Sequence, residues 1–370
     1  MIKVLHIITS LTAGGAQASL LKTVQNTKDK NILYGVISLK KNGIYSEEFR
    51  QSLDFYFECP IRISPKIIYD LFFLYRKITL FSPNIIKTWL YKSDMIVTIL
   101  YFFMKKKPKL IWNIRCSDMG GRYDRGLNFI FIKVLSYLSK TPHMILYNSQ
   151  AGINSHLKRG YSDQKTCLVK NGIDTNIFKP DKYNNKKFKK NLGIPENKLL
   201  IGIVARYDPI KGHSDFLKGI SIFNNCHALI VGDGVTKSRE LKLALNKLKL
   251  KEKVTLMEQQ KNIGSIISCL DILVSTSYSE GFPTVIAEAM SCQTIVIATN
   301  VGDTKEILGE YNFLINPGDP QQLSERIKNI SKMKNEIKLS LEKKLRKKII
   351  DNYSLDKMID KYENIYNSLS

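Results

Sequence analysis

Short apolar runs alternate with longer amphipathic stretches along most of this chain of 370 residues. Continuous runs of Val, Ile and Leu are typical of buried parallel strands, and apolar residues that recur every three or four positions are typical of helices. We predict strands at 4–9, 34–39, 85–89, 110–114, 144–149, 199–205, 228–231, 254–257, 271–275, 294–298 and 312–315. We predict the main helices at 18–25, 213–223, 235–248, 263–269, 285–290, 320–330 and 354–369. This alternation indicates an α/β protein built on parallel sheets.

The series of strands and helices stops once and begins again near residue 180. An Asn-Gly turn at 171–172 closes the first series, and the stretch 179–191 is rich in Lys and Asn, which is typical of an exposed linker. A chain of this length also suits two domains better than one. We therefore predict an N-terminal Rossmann-like domain over 1–179 and a C-terminal Rossmann-like domain over 180–350.

The charge balance is strongly positive and uneven. Residues 1–180 hold 27 Lys and Arg against 11 Asp and Glu, a net +16 out of +24 for the whole chain. Such an excess fits an anionic partner, either nucleic acid or an anionic membrane surface, and it also fits a Lys-rich solvated surface without a partner. The apolar fraction of 44% and the charged fraction of 24% are those of a globular protein.

Two aromatic and aliphatic segments in the first half have cations beside them. One spans 66–78, and the other spans 95–104 and continues into the Lys-rich residues 105–109. This composition fits a helix that lies on an anionic membrane leaflet, and it equally fits a core helix with a basic cap. Neither segment reaches the roughly 20 apolar residues that span a bilayer, so we expect no integral membrane protein.

The six cysteines form no C-x-x-C pair. Several lie in apolar surroundings, as buried free thiols do, so we expect a reducing compartment with neither a disulfide framework nor a zinc site. The N-terminal apolar run is too short for a signal peptide, which favours a cytoplasmic protein.

The most informative stretch is 279–290, which follows a predicted strand. A Gly-Phe-Pro sequence at 281–283 separates that strand from the next helix, and its proline suits the first helical position, where no N–H is needed. A strand-to-helix crossing points backbone N–H groups at an anion. Glu280 and Glu288 frame this place, and carboxylates accept hydrogen bonds from hydroxyl groups. The stretch therefore predicts a ligand that carries both phosphates and hydroxyls.

Two cations lie at the end of another predicted strand. Arg206 directly follows the strand at 199–205, and Lys211 comes five residues later in the same loop. Ligands of parallel α/β sheets bind beyond the carboxyl ends of the strands, where an Arg and a Lys on one loop suit a diphosphate. A surface ion pair is the alternative interpretation of the same residues.

Two glycine turns at strand ends are less specific. Gly14 and Gly15 follow the first strand and open a helix, as a phosphate loop does, but such a pair is also typical of a tight turn. Gly232 and Gly234 flank Asp233, and they either let the chain approach a ligand or only turn it.

These elements occur together in the order seen in glycosyltransferase family 4, which the chain resembles. They are the Gly14-Gly15-Ala16 loop, the turn at 171–174, the loop from Arg206 to Gly212, the Gly-Asp-Gly turn, and the E-x7-E pattern from Glu280 to Glu288. The resemblance covers nearly the whole chain and is strongest over 199–318 and weakest over 40–110. It implies retention of anomeric configuration and the GT-B fold, in which two Rossmann-like domains face each other across a cleft. It also implies that the C-terminal helix, within 351–370, crosses back to complete the first domain.

The resemblance assigns roles to the positions that match the family motifs. Glu288 is expected to hold the ribose hydroxyls of a nucleotide sugar, and Glu280 to face the sugar that is transferred. Arg206 and Lys211 are expected to bind the diphosphate and to stabilise the charge that grows as the nucleoside diphosphate leaves. The further nucleotide-sugar contacts that the resemblance implies are Gly14, Gly15, Gly232, Gly281, Phe282, Pro283 and Thr284.

The chain departs from the family pattern at three places. Gln17 stands where many relatives carry Glu, and Glu258 follows a strand that Gly usually follows. The segment 113–118, at the end of the strand at 110–114, contains no His, where many relatives have one. Arg115 and Asp118 are the candidates from that region for the acceptor or sugar side.

The resemblance also sets an expectation for the reaction. The donor is expected to be a UDP-sugar and the transferred group a hexosyl or N-acetylhexosaminyl unit. The acceptor is expected to be a polyprenyl-diphosphate-linked or otherwise membrane-associated saccharide of bacterial capsule or O-antigen assembly. The protein would then associate peripherally with the inner face of the cell membrane.

We expect no cofactor and no metal ion. The sequence contains no D-x-D motif, and Arg206 and Lys211 supply the positive charge that a divalent cation otherwise brings to a diphosphate. The first alternative is a GT-B relative with other sugar-nucleotide chemistry, an epimerase or a phosphorylase. A basic nucleic-acid-binding protein is the more remote alternative, because no stripe of cations with a reading helix is evident.

Overall fold

The chain divides into two compact units. The computed structural model describes residues 1–12, 14–62, 64–115, 126–181, 183–223, 225–310 and 313–370. One unit comprises Met1–Gly172 with Asp356–Ser370, and the other comprises Ile173–Leu355. The sequence places the boundary near residue 180, whereas the structure divides the chain before Ile173. The reason is that Ile173 pairs with Ser354 and exchanges backbone hydrogen bonds of 2.8 Å with Tyr353 and Leu355.

The first unit contains a seven-stranded parallel sheet with the strand order β3-β2-β1-β4-β5-β6-β7. With elements numbered along the chain, its strands are β1 (Ile2–Ile8), β2 (Ile32–Ser38), β3 (Tyr56–Glu58), β4 (Ile85–Trp89), β5 (Lys109–Ile114), β6 (Met144–Tyr147) and β7 (Thr166–Leu168). Its helices are α1 (Gly15–Gln25), α2 (Ser46–Ser52), α3 (Ile67–Phe81), α4 (Tyr91–Phe102), α5 (Gly126–Leu138), α6 (Gln150–Leu157) and α15 (Leu355–Leu369).

The second unit contains a six-stranded parallel sheet with the order β10-β9-β8-β11-β12-β13. Its strands are β8 (Leu199–Val204), β9 (Cys226–Val231), β10 (Val254–Met257), β11 (Ile272–Ser275), β12 (Ile295–Thr299) and β13 (Leu314–Ile315). Its helices are α7 (Tyr183–Asn191), α8 (His213–Ile222), α9 (Arg239–Lys247), α10 (Ile263–Cys269), α11 (Thr284–Ser291), α12 (Thr304–Leu308), α13 (Pro320–Ser331) and α14 (Asn335–Tyr353).

Both sheets reverse their strand order at one place, which is the feature of a Rossmann-like sheet that creates a ligand crevice. In the first unit this switch point lies between β1 and β4, and in the second it lies between β8 and β11. The predicted parallel α/β architecture with two Rossmann-like domains is thereby confirmed.

The C-terminal helix α15 belongs to the first unit, although it follows the second unit in sequence. Tyr362 and Tyr366 are fully buried, and the Tyr366 hydroxyl accepts a hydrogen bond from Lys87 Nζ at 3.0 Å. Burial lowers the pKa of Lys87 well below its ordinary value. Glu363 accepts hydrogen bonds from Thr27 Oγ1 at 2.8 Å and from the Lys28 N–H at 2.7 Å. The expected return of the last helix to the first domain is confirmed by these contacts.

The polar stretch at 179–191 is not the exposed linker that its composition predicts, because α7 lies within it. Lys189 is buried, and its Nζ lies 2.9 Å from Asp271 Oδ2. The same carboxylate oxygen accepts a hydrogen bond from the Leu200 N–H at 2.7 Å. One partly buried ion pair thus links α7 to the second sheet, and the polar composition of the helix does not reveal it.

Other differences concern short elements and element ends. The strands β3 and β7 have three residues each, which is too short for a readable pattern. The predicted helix at 235–248 begins only at Arg239, because the Ser238 hydroxyl caps it by accepting a hydrogen bond from the Leu241 N–H at 3.1 Å. No helix in the described parts of the chain is long and apolar enough to cross a membrane.

Arg346 ties α14 to the beginning of the second unit. Its guanidinium donates hydrogen bonds to the carbonyl oxygens of Phe178 at 3.0 Å, Ser291 at 2.5 Å and Thr175 at 3.1 Å. Burial lowers the pKa of Arg346. A single side chain therefore holds together the entry segment, the end of α11 and α14.

We predict that Arg346→Met destabilises the second unit by about 2 kcal/mol, because three carbonyl oxygens lose a charged donor. The measurement is the urea midpoint of unfolding. Lys344→Met is the matched control, since Lys344 lies exposed on the same helix. Equal midpoints for the two variants would contradict the anchoring role.

Candidate functional site

The loops after β8 and β11 meet at the switch point of the second sheet. Lys211, in the first loop, places its Nζ 2.6 Å from Oε1 of Glu280 in the second loop. Both side chains are mostly buried, with 21% and 15% of their surface exposed. The structure thus brings together one predicted cation and one predicted carboxylate that are 69 residues apart in the chain.

Further hydrogen bonds fix the two loops to each other. Ser277 Oγ donates to the same Glu280 oxygen at 2.7 Å. Thr276 Oγ1 donates to the carbonyl oxygens of Lys211 at 3.0 Å and Gly212 at 2.9 Å. The Tyr278 N–H donates to the Ile210 carbonyl oxygen at 2.8 Å. The Lys211–Glu280 pair therefore sits on a preorganised backbone.

Two glycines allow close backbone approaches at the strand ends of the second sheet. Gly212 has a φ of 67°, and a Cβ atom at this position would lie 2.1 Å from the Thr276 carbonyl oxygen. A Cβ atom on Gly232 would lie 2.0 Å from the Ala205 carbonyl oxygen. Gly232 thus has a structural reason to be glycine, namely the close passage of the β8 and β9 strand ends.

Arg206 follows β8 and is the more exposed of the two cations. Its Nη2 lies 2.9 Å from Asp208 Oδ2, and 63% of its side chain is exposed. Burial by itself raises the pKa of Asp208, but the hydrogen bonds from Arg206 and Ile210 and the nearby charge of Lys211 bring it below its ordinary value. An exposed pair of this kind contributes only about 0–1 kcal/mol, so an incoming anion can replace Asp208 at small cost.

The start of α11 follows Glu280 of the Lys211–Glu280 pair by four residues. The helix begins at Thr284, and Pro283 occupies the capping position rather than the first helical position that the sequence predicts. The Phe282 side chain is buried, with its ring 5.6 Å from that of Tyr353, so only the backbone of Phe282 is available to a ligand. Glu288 is half-buried in the second turn of α11.

The backbone before α11 is held by the loop after β12. The Asp303 N–H donates a hydrogen bond of 3.0 Å to the Gly281 carbonyl oxygen. Gly302 has a φ of 57°, and a Cβ atom there would lie 2.4 Å from the Glu280 carbonyl oxygen. The carbonyl group of Gly281 thus points to the loop after β12, and Gly302 lets that loop pass close to the Glu280 carbonyl oxygen.

Glu258 lies at the carboxyl end of β10, and its carboxylate holds the turn after β9. It accepts hydrogen bonds of 3.0 Å from the Gly234 and Thr236 N–H groups and a further one from the Thr236 hydroxyl. The hydrogen bonds from the Thr236 hydroxyl and the Gly234 N–H lower the pKa of Glu258. The side chain therefore fixes the turn after β9 by satisfying its N–H groups.

Gly14 and Gly15 belong to the first unit, at the carboxyl end of β1. Gly14 is extended and precedes α1, and Gly15 is the first residue of that helix. The buried Gln17 side chain donates from Nε2 to the Ser10 carbonyl oxygen at 3.1 Å. A carboxylate has no proton to donate here, which explains why an amide suits this position.

Arg115 also lies in the first unit, directly after β5. Its guanidinium donates to the Tyr362 hydroxyl at 3.4 Å and lies 5.5 Å from the centre of the Trp89 ring. Burial lowers the pKa of Arg115, and the Tyr362 contact acts in the opposite direction. Asp118, its partner in the sequence prediction, lies outside the described residues.

The sequence analysis missed residues that orient the site. Thr276 and Ser277 directly follow β11, and Asp208 lies two positions after Arg206. Gly302 follows β12 and supports the backbone of 280–281. A rule that every polar residue or glycine within four positions after a parallel strand belongs to the candidate site would have included all four. Within the described residues, no group of three His, Cys, Asp or Glu side chains is placed to hold a metal ion.

We predict that Glu258→Gln lowers the urea midpoint of unfolding at neutral pH. Because the folded pKa of Glu258 lies below the ordinary value of 4.5, the difference from wild type is fully present above pH 4.5. It shrinks as the pH falls through the folded pKa and both proteins carry a neutral group. Unfolding at pH 7 and pH 3.5 measures this, with the exposed Glu252→Gln as control, and a pH-independent difference would refute it.

Comparisons with known proteins give the family and the fold that this chain is similar to. Residues 184–353 match the model of the family described as glycosyl transferases group 1. The O-antigen biosynthesis glycosyltransferase WclY of Escherichia coli is 28% identical over 207 residues, which are 55% of this chain and 56% of the relative. The chain thus spans little more than half the length of that relative.

Two further proteins are similar to this chain. An Escherichia coli enzyme named UDP-Gal:alpha-D-GlcNAc-diphosphoundecaprenol alpha-1,3-galactosyltransferase is 26% identical over 249 residues, 65% of this chain and 63% of the relative. The crystal structure of Anabaena HepE in complex with UDP and glucose has a TM-score of 0.85 at 20% identity and covers 100% of both chains. Residues 184–353 are therefore similar to the glycosyl transferases group 1 family, and the chain has the GT-B fold.

Proposed function

We propose that this protein is a retaining glycosyltransferase of bacterial capsule or O-antigen assembly. It moves a hexosyl or N-acetylhexosaminyl unit from a UDP-sugar to a hydroxyl of a polyprenyl-diphosphate-linked saccharide. The observation that carries the proposal is the Lys211–Glu280 pair at the switch point of the second sheet, next to the start of α11. This arrangement offers a cation for phosphate and a carboxylate for sugar hydroxyls within one hydrogen-bond length of each other.

The donor diphosphate binds between the β8 loop and α11 in this proposal. Lys211 and Arg206 contribute two positive charges, and the backbone N–H groups of Gly281, Phe282 and Thr284 contribute the anion site of a helix start. Pro283 has no N–H and shapes the turn. Glu288, in the second turn of α11, accepts the two ribose hydroxyls, and HepE in complex with UDP supports the choice of a uridine nucleotide.

Glu280 binds the transferred sugar rather than attacking it. Its Oε1 already accepts hydrogen bonds from Lys211 Nζ and Ser277 Oγ, which reduce the nucleophilicity of that oxygen. In this proposal the carboxylate also accepts a hydrogen bond from a sugar hydroxyl. The carboxylate thereby fixes the ring relative to the phosphate that Lys211 holds.

The reaction then needs no protein nucleophile. The acceptor oxygen forms a bond to the anomeric carbon on the face from which the phosphate oxygen leaves. The bond between that carbon and the phosphate oxygen breaks, and the phosphate oxygen takes the acceptor proton. Arg206 and Lys211 stabilise the negative charge on the leaving nucleoside diphosphate, and each such contact is worth about 10²–10³ in rate.

The acceptor side is assigned to the first unit, with Gly14, Gly15, Arg115 and Asp118 as its candidate residues. The galactosyltransferase relative carries a diphosphoundecaprenol acceptor in its name, which supports a lipid-linked saccharide here. Such an acceptor lies in the membrane. We therefore place the protein peripherally on the inner face of the cell membrane.

The donor assignment is tested by nucleotide binding. In a thermal-shift screen of nucleotide sugars, a UDP-sugar is expected to raise the melting temperature most. Glu288→Ala is expected to weaken donor binding about 10- to 100-fold, because hydrogen bonds to a charged group are lost, and to leave the acceptor KM unchanged. Glu325→Ala, on an exposed part of α13, is the control. Unchanged donor affinity in Glu288→Ala would show that the ribose assignment is wrong.

A further prediction concerns the dependence of the transfer reaction on metal ions. Because Arg206 and Lys211 neutralise the leaving group, transfer is expected to proceed at an unchanged rate after dialysis against a chelator. The measurement is the release of nucleoside diphosphate with and without added magnesium. Activity that is lost on chelation and restored by magnesium would contradict metal-independent transfer.

A further inference from the structure

Helices α3, α4 and α5 cover one face of the first sheet. Leu74 and Ile78 of α3, Val97 of α4, and Ile132 and Leu135 of α5 belong to one buried cluster. The same cluster contains the side chains of β1, β2, β4, β5 and β6 that point to this face. The opposite sides of the three helices therefore all point away from the sheet on the same side of the unit.

These outward sides are apolar, which is unusual for surface helices. On α3, Ile68, Tyr69, Phe72 and Leu80 are 77%, 68%, 57% and 67% exposed. On α5, the exposed apolar residues are Phe129, Ile130, Val134 and Tyr137. The end of α4 adds Ile99, Phe102 and Phe103. Exposed positions recur at helical spacing on α3 and α5, so each helix is apolar on its outer side as well as on its inner side.

Cations surround this apolar surface. The exposed ones are Lys66 and Arg76 on or beside α3, Lys105, Lys106, Lys107 and Lys109 after α4, and Lys133 and Lys140 on or after α5. Lys77 lies with its Nζ 3.8 Å from the centre of the Phe57 ring, so a cation–π contact holds this charge over an aromatic face.

Acidic groups are missing from the same surface. The described residues of the three helices and of 103–109 include only two acids, Asp70 and Asp94. Both are buried, and Asp70 Oδ1 is paired with Arg62 at 3.0 Å. The outer side of the three helices therefore carries positive charge alone.

We propose that this surface, the outer sides of α3, α4 and α5 with residues 103–109, inserts into the headgroup region of an anionic lipid bilayer. Aromatic and aliphatic side chains enter the interface, and the surrounding Lys and Arg bind acidic headgroups. The inference deepens the proposed function, on which it rests for a reason to meet a membrane. It names the surface that the lipid-linked acceptor's membrane would contact.

The positive charge and the aliphatic side chains of this surface indicate which kind of partner binds it. A second copy of this chain would bring the same positive charge to the contact, which repels it. A nucleic acid would stack on the aromatic rings, but Ile68, Leu80 and Ile130 offer it nothing. An anionic bilayer matches both components, since it has acidic headgroups above an apolar interior.

Vesicle sedimentation tests the proposal. The probes are vesicles of phosphatidylcholine alone and of phosphatidylcholine with about 30% phosphatidylglycerol. The apolar variant is Phe72→Ser, Ile130→Ser and Tyr137→Ser; its matched control in the second unit is Leu243→Ser, Ile337→Ser and Leu339→Ser. The charge variant is Lys105→Gln, Lys106→Gln and Lys107→Gln; its matched control is Lys247→Gln, Lys249→Gln and Lys251→Gln.

Wild type is expected to bind the anionic vesicles, less so as salt rises, and the neutral ones weakly. The charge variant is expected to lose on the order of 100-fold in affinity, and the apolar variant at least about 10-fold. Both controls should bind like wild type. Binding that falls equally in a variant and its control would show an effect of net charge or general hydrophobicity and overturn the proposal.

Two further measurements distinguish a membrane contact from a dimer contact, and a failure of this proposal from a failure of the proposed function. If the surface were a dimer contact, sedimentation velocity without lipid would show a mass that falls in the apolar variant, and the proposal would be wrong. Transfer to a water-soluble acceptor analogue tests the enzyme without a membrane. No transfer by wild type, with vesicle binding intact, would refute the proposed function only, whereas transfer without any vesicle binding would refute the docking surface only.

Discussion

The pairing of Lys211 with Glu280 is the constraint on which the candidate site depends. It joins the loops after β8 and β11 at the place where the strand order of the second sheet reverses. Neither loop would hold this geometry by itself, so the glycine at 212 and the hydroxyl groups of Thr276 and Ser277 serve to bring the two together. A charged pair that is mostly buried persists because further hydrogen bonds satisfy it.

The departures of this chain from the family pattern have physical explanations in its own contacts. Gln17 donates a hydrogen bond that a glutamate has no proton to make. Glu258 uses its carboxylate to fix the turn after β9, where a glycine would leave three donors for solvent or ligand. Arg115 lies against Tyr362 of the last helix, so its position depends on the return of α15 to the first unit. These substitutions change how the loops are supported and leave the sheet architecture unchanged.

The two units use surface chemistry differently. The second unit gathers charge at its strand ends, where the pairs Lys211–Glu280 and Arg206–Asp208 lie. The first unit carries most of the net positive charge of the chain and exposes an apolar helix surface with no exposed acid. Exposed apolar area of this extent on one side of a unit is rare without a partner, because it costs free energy in water. Part of the positive charge that the sequence shows in its first half thus lies on or beside α3, α4 and α5.

The sequence by itself determined the α/β architecture, the approximate extent of most strands and the order of the motifs. Those features depend on local patterns: apolar runs, glycine turns and residues directly after a strand. It did not determine that 179–191 contains a helix, because the pairing of buried Lys189 with partly buried Asp271, 82 residues away, is not visible in its polar composition. It also left open whether the segments at 66–78 and 95–104 are core helices or surface helices. Only the tertiary structure decided this, and both answers hold, since packing buries one side of each helix while apolar side chains on the other side are exposed among the described residues. Burial and pairing are properties of contacts between distant residues, which no local pattern contains.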